Sequence, residues 1–141
     1  MTKPLDNEQI EEALNLLGDL LDIDESATPL SLVVCGGAAL SILGLHTRTT
    51  KDVDIVALEN PVSGELQSPA PLPPPLLRAA ALVAAEMDLS PDWLNNGPSR
   101  DEGGLFQLGL PEGISERLIR RIYSGKLTVS YVSRFDQIHF K

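Results

Sequence analysis

The run SLVVC, residues 31 to 35, followed at once by Gly36 and Gly37, constrains the fold more than any other feature of the chain. An apolar, β-branched run ending at two glycines reads as a buried strand that enters a tight turn. Ala38 to Leu43 then suits a short helix, which Gly44 can end. A second strand is expected from Asp52 to Leu58, with Val53, Ile55 and Ala57 on one face. A buried strand that also carries Asp52 and Asp54 is unusual, and the pair sets the functional question.

Around this centre the pattern alternates helix and strand. Apolar residues at Ile10, Ala13, Leu14, Leu17, Leu20 and Leu21 have helical spacing, so a helix is predicted over residues 7 to 22. Asp6, with Gln9 three residues on, forms a capping box at its start. Residues 59 to 75 are rich in proline and read as a loop. Pro75 to Met87 opens with proline and is rich in Ala and Leu, as a helix should be. Residues 90 to 113 are turn-rich and irregular. Ile114 to Tyr123 reads as a short basic helix, and Leu127 to Val132 as a strand. Ser133 with Asp136 caps a last helix that stops at Lys141 as it begins, the pattern of a chain shortened at its C-terminus. These elements predict an α/β class: one domain over residues 1 to 141, with a small mixed sheet flanked by helices.

Charge narrows the partners. Twenty acids against eleven bases give a net charge of −9, which repels nucleic acid at long range. A polynucleotide would need a local basic patch, and Arg117, Arg120 and Arg121 are the candidates. A small anion escorted by a divalent cation remains compatible with such a surface. The single cysteine, Cys35, excludes an internal disulfide and suits a reducing compartment. No charged segment followed by an apolar one opens the chain, and no apolar stretch reaches eighteen residues. A cytoplasmic location with no membrane partner is the expectation.

Residues i and i+2 of a strand share a face, so Asp52 and Asp54 are expected side by side, roughly 6 to 7 Å apart at Cα. Two carboxylates so placed repel unless a cation lies between them, and Mg²⁺ is the natural occupant. The plainer alternative is an edge strand bearing two solvated acids. The glycines favour the first reading, because a strand-to-helix turn aims backbone N–H groups at one point and suits phosphate. A side chain at Gly36 or Gly37 would hold such a ligand off the backbone. His46, Arg48 and Lys51 lie between the two motifs, and the last two can neutralise phosphate oxygens.

Cys35-Gly36-Gly37, then Arg48-Thr49-Thr50 before Asp52-Val53-Asp54-Ile55, resembles the nucleotidyltransferase superfamily that includes DNA polymerase β. The wider pattern, GGAAL followed by RTTKDVDI, looks most like its small bacterial members, among them the nucleotidyltransferase-like toxins of type IV toxin–antitoxin pairs. PDWLN, GLPEGISERLIRR and LTVSYVSRFDQIHFK resemble a branch of the same group. The resemblance implies transfer of a nucleoside monophosphate from a nucleoside triphosphate to a hydroxyl acceptor on a small molecule, a protein or tRNA. It implies Asp52 and Asp54 as catalytic Mg²⁺ ligands, and Gly36, Gly37, Arg48 and Lys51 as nucleotide contacts. It also raises an alternative, a catalytically inactive nucleotide-binding protein or a partner in a toxin–antitoxin pair.

Such enzymes usually add a third carboxylate from a later strand. The candidate strand LTVSYV offers Thr128, Ser130 and Tyr131 instead, leaving Asp88, Asp92 and Asp136 as substitutes from elsewhere. Trp93 is expected to anchor the irregular segment rather than stack on a base. Cys35 is expected to be a small buried thiol, and Lys141 is a further candidate phosphate contact.

Overall fold

The computed structural model describes residues 5–44, 50, 52–97, 110–133 and 136. His46, Arg48, Lys51, His139 and Lys141, all weighed above, lie outside them. The first helix, α1 (Asn7–Ile23), begins as expected: the Gln9 backbone N–H donates to Asp6 Oδ1 at 2.8 Å, and the Asp6 N–H donates back to Gln9 Oε1 at 3.0 Å. This satisfies two N–H groups that the helix itself cannot pair. After α1 come β1 (Leu30–Cys35), α2 (Gly36–Ile42), β2 (Val53–Glu59), β3 (Leu66–Gln67), α3 (Pro74–Met87) and β4 (Leu94–Asn95). The described chain continues through α4 (Ile114–Arg117), β5 (Ile119–Ser124) and β6 (Leu127–Tyr131).

The class is α/β, with a six-stranded mixed sheet ordered β3-β2-β1-β6-β5. β4 pairs in parallel with the start of β2, on the side of β2 that β3 occupies at the other end. One face of the sheet carries the main core. Leu32, Val34, Val53, Ile55, Val129 and Tyr131 project from it against the buried leucines of α1 and the Leu76–Val83 face of α3. Each of these side chains contributes about 1.5–3 kcal/mol by leaving water. The opposite face bears a smaller cluster, in which Ile114 and Leu118 cover Val33, Cys35, Val56, Ala57 and Val132.

Two expectations are corrected. Residues 114 to 123 do not form one basic helix; a single helical turn at α4 is followed by strand β5. Pairing decides this: Ile119, Arg121 and Ile122 lie opposite Tyr131, Val129 and Thr128, and Gly125 with Lys126 makes the two-residue turn of a hairpin. Tertiary pairing here outweighs the helical preference of Glu and Arg. Secondly, Ala57 does not share a face with Val53 and Ile55. The β1–β2 register steps from Val33↔Ala57 to Val34↔Ile55, so Val56 is an extra residue, a bulge that turns Ala57 into the smaller cluster.

Candidate functional site

The turn between β1 and α2 brings the two glycines against the acid segment. Gly36 has φ of +75°, a conformation that side chains rarely adopt. A Cβ on Gly36 would stand 3.1 Å from Asp54 Oδ2, and one on Gly37 would stand 3.2 Å from Thr50 Oγ1. The turn therefore packs on both halves of the motif, Thr50 before the acids and Asp54 within them. Thr50 is tied down in turn: its N–H donates to the Leu5 carbonyl at 2.9 Å, and Leu5 donates back at 2.6 Å. Its hydroxyl donates to the Asp52 carbonyl at 3.2 Å.

β2 is an internal strand, with β1 on one side and β3 and β4 on the other, which removes the edge-strand reading of the acids. Asp54 sits within it, half-buried and paired in register with Cys35 of β1 and Asn95 of β4. Asp52 immediately precedes the strand, and its backbone carbonyl is held by Thr50. The Asp54 carboxyl is pushed above its ordinary titration range by burial, eased by a hydrogen bond from Asn95, and pushed up again by the charge of Asp52. Asn95 Nδ2 donates to Asp54 Oδ1 at 3.3 Å. Among the described residues, Oδ2 on the Gly36 side receives no hydrogen bond.

The neighbouring strand supplies no third acid. Val34 pairs with Tyr131, so the next position along, beside Cys35, is Val132, whose N–H donates to the Val34 carbonyl at 2.9 Å. Asp54, Cys35 and Val132 form a row across three strands, with Val132 buried in the smaller cluster. The substitutes do not join the pair. Asp136 is fully buried and takes Arg117 at 2.5 Å; Asp92 is exposed and takes the Ser90 hydroxyl; exposed Asp88 ends α3. Among the described residues, no three His, Cys, Asp or Glu side chains gather as a metal site.

Comparison of the chain with protein-family models, curated proteins and solved structures found no match.

The basic run is spent within the fold. Arg117 pairs with Asp136, Arg120 with the buried Glu59, and Arg121 with Glu11 at 2.7 Å. Cys35 is a buried thiol, pushed up to about 12 by burial and then by the Asp54 carboxylate, so it stays protonated and inert. Trp93 is the expected anchor: it is fully buried, and its Nε1–H donates to the Ala80 carbonyl at 2.9 Å. No helix among the described residues is long and apolar enough to cross a membrane. Asn95 lies in the PDWLN segment as an uncharged residue with no motif of its own, and only the β2–β4 pairing gives it a place beside Asp54.

The donor set suits one divalent ion. Two mutually repelling carboxylates, one of them half-buried beside a glycine turn, are a fit for Mg²⁺ that keeps water and phosphate oxygens in the rest of its shell. A second ion would need oxygen donors beyond this pair.

Proposed function

We propose that the protein is a nucleotidyltransferase-like, Mg²⁺-dependent protein that takes a nucleoside triphosphate at Asp52, Asp54, Gly36 and Gly37 and transfers its nucleoside monophosphate to a hydroxyl acceptor, the hydroxyl oxygen bonding to the α-phosphorus as the α–β phosphoanhydride bond breaks and pyrophosphate leaves. The observation that carries this reading is the Asp54 carboxylate set against Gly36. The resemblance of both motifs to the nucleotidyltransferase superfamily supports it. When bound, Mg²⁺ would neutralise phosphate charge and bring the triphosphate to the aspartate pair. Asp52 and Asp54 hold the ion, and the glycine turn lets phosphate approach the backbone. Arg48 and Lys51 balance the remaining negative charge. Catalysis of this kind is mostly positioning and electrostatic stabilisation, which a small scaffold can supply. The acceptor is a small molecule, a protein or tRNA, and the site of action is the cytoplasm.

A thermal melt tests the binding half of the proposal. Mg²⁺ with one of the four common nucleoside triphosphates should raise the melting temperature, and Asp52→Asn combined with Asp54→Asn should remove the rise. A rise that survives the double substitution would rule out the aspartates as ligands.

Val132, at the row position where a third acid would face the pair, favours a second reading: a protein that binds nucleotide without transferring it, or that serves as one member of a toxin–antitoxin pair. Triphosphate labelled at the α-phosphate, incubated with the protein and a cell extract, separates the two. Label that becomes covalently attached to an acceptor supports transfer. Label that only co-elutes with the protein, together with a co-purifying partner, supports the second reading.

A further inference from the structure

The hydrogen bond from Asn95 to Asp54 has a built geometry that the aspartate motif alone does not explain. Trp93 sits beneath it. The buried indole is fastened to α3 through Ala80, while the Trp93 carbonyl accepts the Val53 N–H at 2.5 Å. β4 is thereby clamped against the first residues of β2, and register brings Asn95 opposite Asp54.

The amide has only one orientation that satisfies its surroundings. The Gly97 N–H can only donate, and it reaches Asn95 Oδ1 at 2.8 Å. The Asp92 carbonyl can only accept, and it takes Nδ2 at 3.2 Å. These two contacts fix the ends of the amide, so the NH₂ group must be the one that faces Asp54. Gly97 also leaves the room needed, because a Cβ there would stand 2.8 Å from Asn95 Oδ1.

We infer that Asn95 is the positioning residue of the cation site: its NH₂ group occupies Asp54 Oδ1 and so presents Oδ2, on the Gly36 side, as the oxygen for a divalent ion. A hydrogen-bonded partner behind a ligating carboxylate fixes which lone pairs remain for the metal. Asparagine suits the place because an acid there would offer Asp54 no hydrogen and would add a third negative charge beside it. The PDWLN segment thus acts as one unit, with Trp93 as its anchor and Asn95 as its working group. The inference rests on the aspartate pair being the cation site proposed above.

Melting temperature is followed as Mg²⁺ is titrated into the full chain with a mixture of ATP, CTP, GTP and UTP. Loss of an outer-shell partner typically weakens metal binding by 10–100-fold, so Asn95→Ala should raise the Mg²⁺ midpoint by about tenfold or more. Asn95→Leu keeps a similar shape but offers Asp54 no hydrogen and adds no charge. It too should raise the Mg²⁺ midpoint by about tenfold or more, and it decides the matter alone if the alanine variant does not fold. A merely structural asparagine would shift the metal-free melt while leaving the midpoint and the Mg²⁺-induced rise as in wild type; that result overturns the role of Asn95 and leaves the site standing. Absence of any Mg²⁺-dependent rise in wild type overturns the site itself, and the role of Asn95 with it.

Discussion

Asp54 Oδ2 lies 3.1 Å from the point where a Cβ on Gly36 would stand, and Gly36 holds φ of +75°. Conformation and contact both demand glycine there, and the two demands can be separated. Gly44 has φ of +72°, and among the described residues nothing lies within 4 Å of an added Cβ. Gly44→Ala should therefore cost only the backbone strain, about 1 kcal/mol. Gly36→Ala should cost more in a urea titration, because Asp54 must also move. It alone of the two should weaken Mg²⁺-dependent triphosphate binding. Equal losses in both variants would show that Asp54 does not rest on the turn.

The position of Asp54 predicts a stability that depends on pH. Burial, and then the charge of Asp52, leave its carboxyl titrating above the unfolded-state value of about 3.9 despite the Asn95 hydrogen bond. The folded chain holds that proton more tightly than the unfolded chain. No penalty exists below the unfolded value, and the penalty grows as pH rises through the folded one. Without metal, Asp54→Asn should melt higher than wild type at pH 7, and the difference should vanish in acid. A variant less stable than wild type at pH 7 would mean that the carboxylate is a structural group.

Glu59 is buried, accepts the Ser31 hydroxyl at 3.0 Å and pairs with Arg120. Arg120→Ala leaves that carboxylate with too few donors and should cost about 1–3 kcal/mol in urea unfolding. Adding Glu59→Gln should recover part of the loss, since the uncompensated charge is gone. Strictly additive losses would indicate that the two side chains do not interact.

Cys35 supplies a chemical clock for the same region. A buried thiol pushed up to about 12 has almost no thiolate at pH 8. Iodoacetamide should label it only as fast as the chain opens, and Mg²⁺ with triphosphate should slow that labelling. Rapid labelling of the native protein would contradict the burial of Cys35 beside Val132.

Much of this was legible in the residues. The Asp6 and Gln9 box, the β1 run and its glycines, and the acid motif at the start of β2 are local signals, each readable within a few positions. The meeting of Gly36 with Asp54 was also foreseeable from the strand–turn–helix order. Long-range pairing was not. Ile119 to Ser124 carries residues compatible with a helix, and only the β6 partner makes it a strand. Asn95 has no chemical signature until β4 is laid beside β2, and the β2 bulge depends on which β1 residue lies opposite. The three arginines showed their charge in the sequence, but their acidic partners come from distant segments.

The additional residue at Val56 shifts the two halves of β2 by half a pleat period. Residues five apart would ordinarily point oppositely, yet Asp54 and Glu59 emerge on the same side of the sheet. Deleting Val56 would restore simple alternation and swing Glu59 toward the oily layer under α1 and α3, far from Arg120. One inserted amino acid thus lets a single strand carry an ion-paired acid at one end and a site acid at the other, both kept clear of the main core.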